Sequence, residues 1–251
     1  MKEILDSLEK FEKENDATIM LAVESGSRGW GFASADSDYD IRFVFKRKID
    51  KYLELKKPED FYSWMDGDKD YVGFDIYKAY ELLLRSNMNV IDWLLFQETI
   101  YMDKMKDKNG LRKIVLKLFD RQKYIAHNYS LCKTNYHKYF VKPAENEPTI
   151  KRYIYCIRAL LSAQYCTEND TIAPINFYDL IEKTLNKTDQ QEIREILEMK
   201  KTTVEKQWYK NQKWEQFIAE RLEKGFPKTQ AIDDNDEYYT ELNKHLLNEI
   251  R

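Results

Sequence analysis

The chain has 251 residues, 43% hydrophobic and 34% charged, which is enough for one large domain or two small ones with cores of their own. A net charge of −3 and an isoelectric point near 5.8 argue against a dedicated duplex-binding protein, although a local basic patch could still serve a nucleic-acid substrate. Three cysteines without CxxC spacing indicate neither a zinc site nor a disulfide framework. The sequence has no apolar signal core and no stretch of transmembrane length, so we expect a soluble, cytoplasmic protein without membrane contact.

The N-terminal part of the sequence has the pattern of a sheet with helices. Residues 2–14 place apolar side chains on one helical face, and the apolar run at 17–24 is typical of a strand buried on both sides. Residues 39–45 alternate as a strand does. Residues 61–65 and 70–78 flank the turn DGD and predict a β-hairpin.

A helical period begins near residue 77. AYELLLRS and NVIDWLLF have the spacing of two helices, and residues 109–251 are almost wholly helical in pattern. We therefore predict an α+β protein, with a small mixed β-sheet domain and flanking helices over residues 1–105 and an all-helical domain over residues 106–251. Breaks between helices are expected at Pro143, Pro148, Pro174 and Pro227.

A glycine-rich turn, GSRGWG at residues 26–31, follows the buried strand. Glycines let backbone N–H groups approach an anion closely, and Ser27 can donate a further hydrogen bond to a phosphate oxygen. Most glycine turns after strands bind nothing, so the turn alone is a weak signal.

Two acids follow the turn at the start of the second strand. Asp38 and Asp40 are two residues apart, so both side chains project from one face of that strand. Neighbouring carboxylates repel each other unless a cation lies between them, and rigid oxygen ligands suit Mg²⁺ or Mn²⁺. A single DxD pair is more often a solvated strand entrance, and Asp36 in the preceding loop has the context of turn chemistry.

The third candidate acid is Asp75, which interrupts an apolar strand of the hairpin. Alternation alone favours an exposed side chain at this position. Two-metal phosphoryl transfer, however, needs more than two carboxylates on adjacent strands beside a phosphate-binding turn. The combination of Asp75 with the turn and the acid pair therefore favours a metal site.

The run GSRGWGFASADSDYDIRFVF resembles the signature of the DNA polymerase β-type nucleotidyltransferase superfamily. Its W-G-x-x-S-x-x-S-D-x-D-x-R form is similar to the family named for an RNA repair pathway. GFDIYKAYELLLRSNMNVIDWL, AHNYSLCKTNY and KRYIYCIRALLSAQYC resemble further motifs of that family, in the expected order, between residue 20 and about residue 170. The resemblance implies a nucleotidyltransferase core followed by a helical domain that closes over the nucleotide and acceptor cleft.

The resemblance also implies roles for individual residues. Gly26 and Ser27 would hold the triphosphate, Asp38 and Asp40 would bind two Mg²⁺ or Mn²⁺ ions, and Asp75 would complete the ion that activates the acceptor hydroxyl or act as general base. That hydroxyl would attack the α-phosphorus of a nucleoside triphosphate and release pyrophosphate.

Other basic and aromatic residues are weaker candidates for nucleotide contacts. Arg28 could touch phosphate, whereas for Arg42 a salt bridge that stiffens the acid pair is favoured slightly. In related enzymes a helical-domain lysine grips the triphosphate, and Lys133 is the candidate here, with a solvated lysine equally compatible. Tyr155 and Arg158 share a helical face and could stack on and pin a base, with helix packing as the alternative.

Two conspicuous residues have structural interpretations. His127 is interpreted as a polar core residue, because this chemistry needs no histidine. Trp30, inside the glycine turn, is expected to pack the turn against the sheet, with stacking on a ligand as the less favoured alternative.

The acceptor is open at this point. The family name implies an RNA 3′ end, such as that of a tRNA. Relatives in the superfamily that modify antibiotics or neutralise toxins make a small molecule or a protein an alternative acceptor. A catalytically silent nucleotide-binding module is a third hypothesis, which the presence of the three acids and the Gly-Ser pair disfavours. The base of the nucleotide and the oligomeric state have no signal in the sequence.

Overall fold

The computed structural model describes residues 1–141, 148–202, 208–226 and 236–251. These residues form two compact units, which we call the sheet unit and the helical unit. The sheet unit contains Met1–Gly29, Ser37–Phe119 and the last helix, and the helical unit contains Trp30–Asp36 and the described residues from Asp120 to 226.

A five-stranded mixed sheet with the order β3-β4-β2-β1-β5 forms the centre of the sheet unit. The strands β2 and β4 are parallel and the other neighbours are antiparallel, which confirms the predicted mixed sheet and the hairpin β3-β4. The edge strand β5 was not predicted. The strands are β1 Thr18–Glu24, β2 Tyr39–Lys46, β3 Phe61–Asp66, β4 Lys69–Asp75 and β5 Ile100–Asp103.

Twelve α-helices lie in the described residues, and two of them continue into π-helical segments, Asp92–Phe96 and His137–Val141. The helices are α1 Lys2–Asn15, α2 Gly26–Gly29, α3 Ile49–Tyr52, α4 Ile76–Leu84, α5 Met88–Ile91, α6 Lys108–Leu118, α7 Arg121–Tyr136, α8 Ile150–Asn169, α9 Phe177–Thr184, α10 Lys187–Thr202, α11 Gln212–Lys224 and α12 Asp236–Ile250.

Hydrophobic patterning explains the core of the sheet unit. Every residue of β1 except the first is buried, as expected for a strand with sheet neighbours on both sides. The amphipathic helix α1 buries Ile4, Leu8 and Phe11 on one face. The Phe11 ring meets the rings of Phe43 and Phe45 of β2 edge-on, at centroid distances of 4.9 and 5.2 Å.

The sheet unit extends beyond the predicted boundary near residue 105, because α6 and the C-terminal helix α12 belong to it. The fully buried Glu249 of α12 accepts the backbone N–H groups of Lys106 and Asp107, both at 3.0 Å. His245 bonds the Asp107 carbonyl at 2.7 Å through Nε2 and the Tyr80 hydroxyl at 2.7 Å through Nδ1. These buried polar contacts join residues far apart in sequence, so helical periodicity could not reveal them.

The helical unit is built around α8, most of whose side chains are buried. The unit also holds the segment Trp30–Asp36: the Trp30 carbonyl accepts the Phe177 N–H at 2.9 Å, and the Phe32 ring lies edge-on to the Phe177 ring at 5.5 Å. The expectation that Trp30 packs against the sheet is therefore wrong, because its ring packs in the helical unit. A further helix break, at Asp120, was not predicted; its side chain caps α7 by accepting the Lys123 N–H at 3.0 Å.

The expected breaks at Pro143 and Pro227 lie outside the described residues, whereas Pro148 and Pro174 precede α8 and α9. Across the ranges that the structure describes, no helix combines the length and apolar character needed to span a membrane.

Candidate active site

The predicted turn folds as the single-turn helix α2 and lies directly against the acid pair. The N–H of Ser25 donates to the Asp40 carbonyl at 2.8 Å, which ties the end of β1 to the start of β2. Gly26 adopts a positive φ of 58°, and a Cβ on it would overlap the Asp40 carboxylate. Glycine is therefore required at position 26 on two grounds, and Gly26, the buried Ser27 and Asp40 form one structural group.

Asp38 and Asp40 occupy the entrance of β2, as predicted. Asp38 is exposed immediately before the strand, and Asp40 is its half-buried second residue. The Asp40 carboxylate Oδ1 accepts from Nη2 of Arg42 at 2.6 Å, so the salt bridge favoured for Arg42 is confirmed.

Arg28 holds the acid-bearing segment against the turn. Its Nη2 and Nε donate to the Ser37 carbonyl at 2.7 and 3.2 Å, and Nε also lies 3.3 Å from the Asp38 carbonyl. The guanidinium carbon lies 3.9 Å above the centre of the Tyr39 ring. The structure thus gives Arg28 a role in positioning Asp38, while its predicted contact with phosphate stays a prediction.

Asp75 does not join the acid pair, and its predicted place in the metal site is wrong. The strand β4 is indeed the neighbour of β2, but the parallel register sets Asp75 opposite Phe45 and Asp70 opposite Asp40. Asp75 lies five positions after Asp70, which places it about 17 Å further along the strand, at the opposite end of the sheet. The sequence pattern showed an acid on an adjacent strand but not the direction or register of pairing.

The contacts of Asp75 are structural. Its Oδ1 accepts the Tyr77 N–H at 2.9 Å and caps α4, while Oδ2 accepts from Arg47 at 3.2 Å and from the Tyr52 hydroxyl at 2.9 Å. Burial raises the pKa of this carboxyl, and the hydrogen bonds from Tyr77 and Tyr52 and the charge of Arg47 oppose that rise. Asp75 therefore anchors the Arg47–Asp60 connection between β2 and β3.

The acid that the structure brings beside Asp40 is Asp70, which was not identified from the sequence. Arg42 Nη2 donates to Asp70 Oδ2 at 2.8 Å as well as to Asp40, and Arg42 Nη1 donates to the Asp70 carbonyl at 2.8 Å. One guanidinium thus bridges carboxylates at the starts of two parallel strands. The available signal was the position of Asp70 early in β4, matching that of Asp40 in β2.

A second unpredicted acid, Glu24, lies beneath the pair at the end of β1. Its Oε1 accepts the Asp40 N–H at 2.8 Å, and its Oε2 accepts from the Tyr101 hydroxyl of β5. Only 2% of Glu24 is exposed, and burial raises the pKa of its carboxyl, while the hydrogen bonds from Tyr101 and Asp40 oppose the rise. Glu24 was not predicted as a site residue, because it ends the apolar run of β1.

The acids at the starts of β2 and β4 have donor groups that suit a divalent cation. Asp38, Asp40 and Asp70 offer carboxylate oxygens, the ligands that Mg²⁺ and Mn²⁺ prefer. Within the ranges that the structure describes, no three acidic, histidine or cysteine side chains already converge as a metal cluster. Arg42 supplies the positive charge between Asp40 and Asp70, and Asp40 Oδ2 faces Gly26. The carboxylate oxygens are thus of the type that the expected ions need, and the ions stay a prediction; Asp38 is the most exposed of the three acids.

The remaining predicted nucleotide contacts lie in the helical unit. Lys133 is exposed on α7. Tyr155 and Arg158 of α8 both contact Trp30: the Tyr155 ring is edge-on at 5.1 Å, and the Arg158 guanidinium lies 4.0 Å above the indole ring. These contacts agree with the packing alternative, and the binding roles of Lys133, Tyr155 and Arg158 stay predictions.

Comparison with known proteins identifies relatives of this chain and the family to which it belongs. Over 251 residues the chain is 28% identical to the uncharacterized protein YcgL of Bacillus subtilis strain 168, covering 98% of this chain and 95% of that protein. It is 30% identical over 165 residues to the uncharacterized protein MJ0002 of Methanocaldococcus jannaschii, covering 60% of each. The crystal structure of a nucleotidyltransferase-like protein from Exiguobacterium sibiricum 255-15 aligns with 92% of this chain and 69% of that one, at 10% identity and a TM-score of 0.29. A model of the RNA repair pathway DNA polymerase beta family matches residues 1–248. Because that match spans nearly the whole sequence, the chain belongs to the RNA repair pathway DNA polymerase beta family.

Proposed function

We propose that this protein is a nucleotidyltransferase that moves a nucleoside monophosphate from a nucleoside triphosphate to an acceptor hydroxyl. The hydroxyl oxygen bonds to the α-phosphorus, the bond from that phosphorus to the oxygen of the β-phosphate breaks, and pyrophosphate and the hydroxyl proton leave. The observation that carries the proposal is the packing of the Asp40 carboxylate against Gly26 of the turn, with Asp70 on the same arginine.

The helix α2 and the acids at the starts of β2 and β4 each have a task in this proposal. Ser27 and the backbone of α2 hold the triphosphate, and Asp38, Asp40 and Asp70 supply the oxygen ligands for two Mg²⁺ or Mn²⁺ ions. When bound, such ions lower the pKa of the attacking hydroxyl and neutralise charge on the leaving pyrophosphate. Arg42 holds the carboxylates of Asp40 and Asp70 beside each other and orients them, because it donates to both.

Nucleotide-binding roles for Lys133, Tyr155 and Arg158 are a further part of the proposal. Lys133 would bind phosphate through its positive charge, and Tyr155 and Arg158 would stack on and pin the base. Each substitution, Lys133→Met, Tyr155→Phe and Arg158→Met, is expected to weaken nucleotide binding more than Lys138→Met, a change at another lysine of the same unit.

We propose an RNA 3′ end, such as that of a tRNA, as the acceptor. The description of the family supports an RNA acceptor. The net charge of −3 does not favour binding to RNA. A protein or small-molecule acceptor and a silent binding module are the outcomes that the following experiment separates from it.

The test is incubation with nucleoside triphosphates labelled at the α-phosphate, Mg²⁺ and total RNA, run beside reactions with cell protein or small-molecule extract. Wild type should label RNA, and Asp40→Asn and Asp70→Asn should not. Asp60→Asn is the matched control, because Asp60 is an acid that pairs with Lys78 on the surface at the other end of the same hairpin. Label in protein or in small molecules would show that the acceptor is not RNA. No label in any fraction, despite Mn²⁺-dependent nucleotide binding in a titration, would favour the silent nucleotide-binding module.

A further inference from the structure

A buried glutamine beside α2 has a side-chain amide without a hydrogen-bond partner among the described residues. Gln97 follows the π-helical segment Asp92–Phe96 and is 4% exposed. Neither its Nε2 nor its Oε1 is hydrogen-bonded to any of the residues that the structure describes. Its backbone is fixed on both sides, because its N–H donates to the Asp92 carbonyl at 3.2 Å and the nearby Thr99 carbonyl accepts the Glu24 N–H at 2.9 Å.

The Gln97 carboxamide lies against the last residue of the turn. A Cβ added to Gly29 would stand 2.6 Å from Gln97 Oε1 and 2.7 Å from the Glu24 carbonyl oxygen. The glutamine therefore fits only because residue 29 has no side chain. The carboxamide oxygen is the part of its amide that lies nearest to Gly29, the last residue of α2, the element to which we assign the triphosphate.

A buried amide without partners is costly, because folding removes its hydrogen bonds to water and replaces them with none. A methionine of similar length would avoid that cost. Native proteins keep few such groups, and each calls for an explanation. π-Helical segments also occur frequently at functional sites, and Gln97 directly follows one.

We propose that Gln97 is a nucleotide-binding residue: its carboxamide, which has no partner at either end among the described residues, turns over so that Nε2 donates to a phosphate oxygen of the nucleoside triphosphate held at α2. This inference rests on the proposed function. A carboxamide suits the task because it offers two N–H donors without a charge of its own, and a phosphate oxygen is a strong acceptor. The amide thus has a hydrogen bond in the nucleotide-bound protein, although it lowers the stability of the free protein.

The experiment measures stability and affinity in the same variants. Gln97→Met should raise the melting temperature of the free protein by about 2–4 °C, because it removes a buried amide that has no partner. The same variant should bind Mg²⁺-ATP and inorganic triphosphate about tenfold more weakly in calorimetric titrations, because it loses a charge-assisted hydrogen bond. Gln97→Glu should bind more weakly still, since a carboxylate would repel the phosphate.

Gln190 provides a matched control, because it is a buried glutamine whose amide is satisfied. Its Nε2 donates to the carbonyls of Leu185 and Glu182 at 2.7 and 3.1 Å. Gln190→Met should therefore lower the melting temperature and leave triphosphate affinity within about twofold of wild type.

The outcomes separate this inference from the function beneath it. If wild type binds neither ATP nor inorganic triphosphate, the proposed function and the inference both fall. If wild type binds and Gln97→Met binds equally well, only the inference is overturned. A fall in melting temperature for Gln97→Met would overturn it too, because Gln97 would then have a partner in the free protein. Gln97→Leu replaces Gln97→Met in both measurements if the methionine variant does not fold.

Discussion

Substituting Asp75 by asparagine, in parallel with Asp70→Asn, tests the division between structural and catalytic acids on the hairpin. The two residues lie on the same strand, five positions apart, and the substitution removes the same charge at each. Only Asp70 lies beside Asp40, whereas Asp75 lies among Arg47, Tyr52 and the N-terminus of α4. We expect Asp75→Asn to lose stability and Asp70→Asn to lose activity.

The surroundings of the two carboxylates set the magnitudes. The side chains of Asp75 and Arg47 are 3% and 7% exposed, and breaking a buried pair by removing one charge costs about 3 kcal/mol at the lower end of measured cases. Asparagine keeps the helix cap, and the burial that raises the pKa of Asp75 already offsets part of the attraction, so the lower end applies. The expected fall in melting temperature is about 6–12 °C. The Asp70 side chain is 30% exposed, so its loss should cost less than about 1 kcal/mol.

The assay combines urea unfolding with the labelled-nucleotide transfer reaction, run well below the melting temperature of every variant. Asp75→Asn should retain most of its transfer activity, and Asp70→Asn should lose about 100-fold or more, the scale for removing one electrostatic contributor to a transition state. Arg47→Met and the double variant Asp75→Asn, Arg47→Met should show non-additive stability losses, because the two residues form one pair. An Asp75→Asn protein with wild-type stability and no transfer, beside an active Asp70→Asn protein, would refute the assignment.

Three further substitutions have expected outcomes. Gly26→Ala should unfold more readily and lose nucleotide-dependent Mn²⁺ binding, measured by titration, because the new Cβ overlaps the Asp40 carboxylate at a positive φ; unchanged binding would contradict the fit. Arg42→Met should lower the transfer activity at temperatures where the variant is fully folded, since it leaves the Asp40 and Asp70 carboxylates without their shared cation. A lower unfolding midpoint with unchanged transfer activity of the folded variant would indicate a purely structural arginine. Burial lowers the pKa of His127 below 6.5, so the unfolded state takes up the proton first. The stability due to neutral His127 should therefore be complete above about pH 6.5 and be lost as the pH falls towards the lowered pKa. His127→Gln should flatten the curve of unfolding free energy against pH between pH 7 and 5, and an unaltered curve would show that other groups produce it.

Local sequence signals were sufficient for the elements whose partners lie nearby. The apolar run of β1, the alternation of β2 and the turn at Gly67 between β3 and β4 each encode their own structure, and the structure confirms them. The edge strand β5 was not predicted, because its four residues carry no alternation and its conformation depends on pairing with β1. The placement of α12 in the sheet unit depends on Glu249 and the backbone N–H groups of residues 106 and 107, a contact that spans more than half of the chain.

The candidate site also contains residues that local sequence signals predict and residues that depend on distant contacts. The turn and the DxD pair could be predicted because all of their residues lie within one short segment, and the contact between Gly26 and Asp40 closes that segment on itself. Glu24 and Gln97 could not, because their significance comes from neighbours brought in by β2 and by the turn. Trp30 looked like part of the glycine turn, yet its ring packs against Tyr155 and Arg158.

The direction of strand pairing explains why Asp70, and not Asp75, lies beside Asp40. In a parallel strand pair, neighbouring residues lie at corresponding distances from the strand starts, so an acid beside Asp40 must come from the beginning of β4. Asp70 meets this condition and Asp75, which ends the strand, cannot. Two carboxylates in that position also repel each other, so a nearby cation is expected, and Arg42 is two residues from Asp40 on the same strand. A search for an acid early in a parallel neighbour, with an arginine within reach of both acids, would have selected Asp70 from the sequence once the strand direction was known.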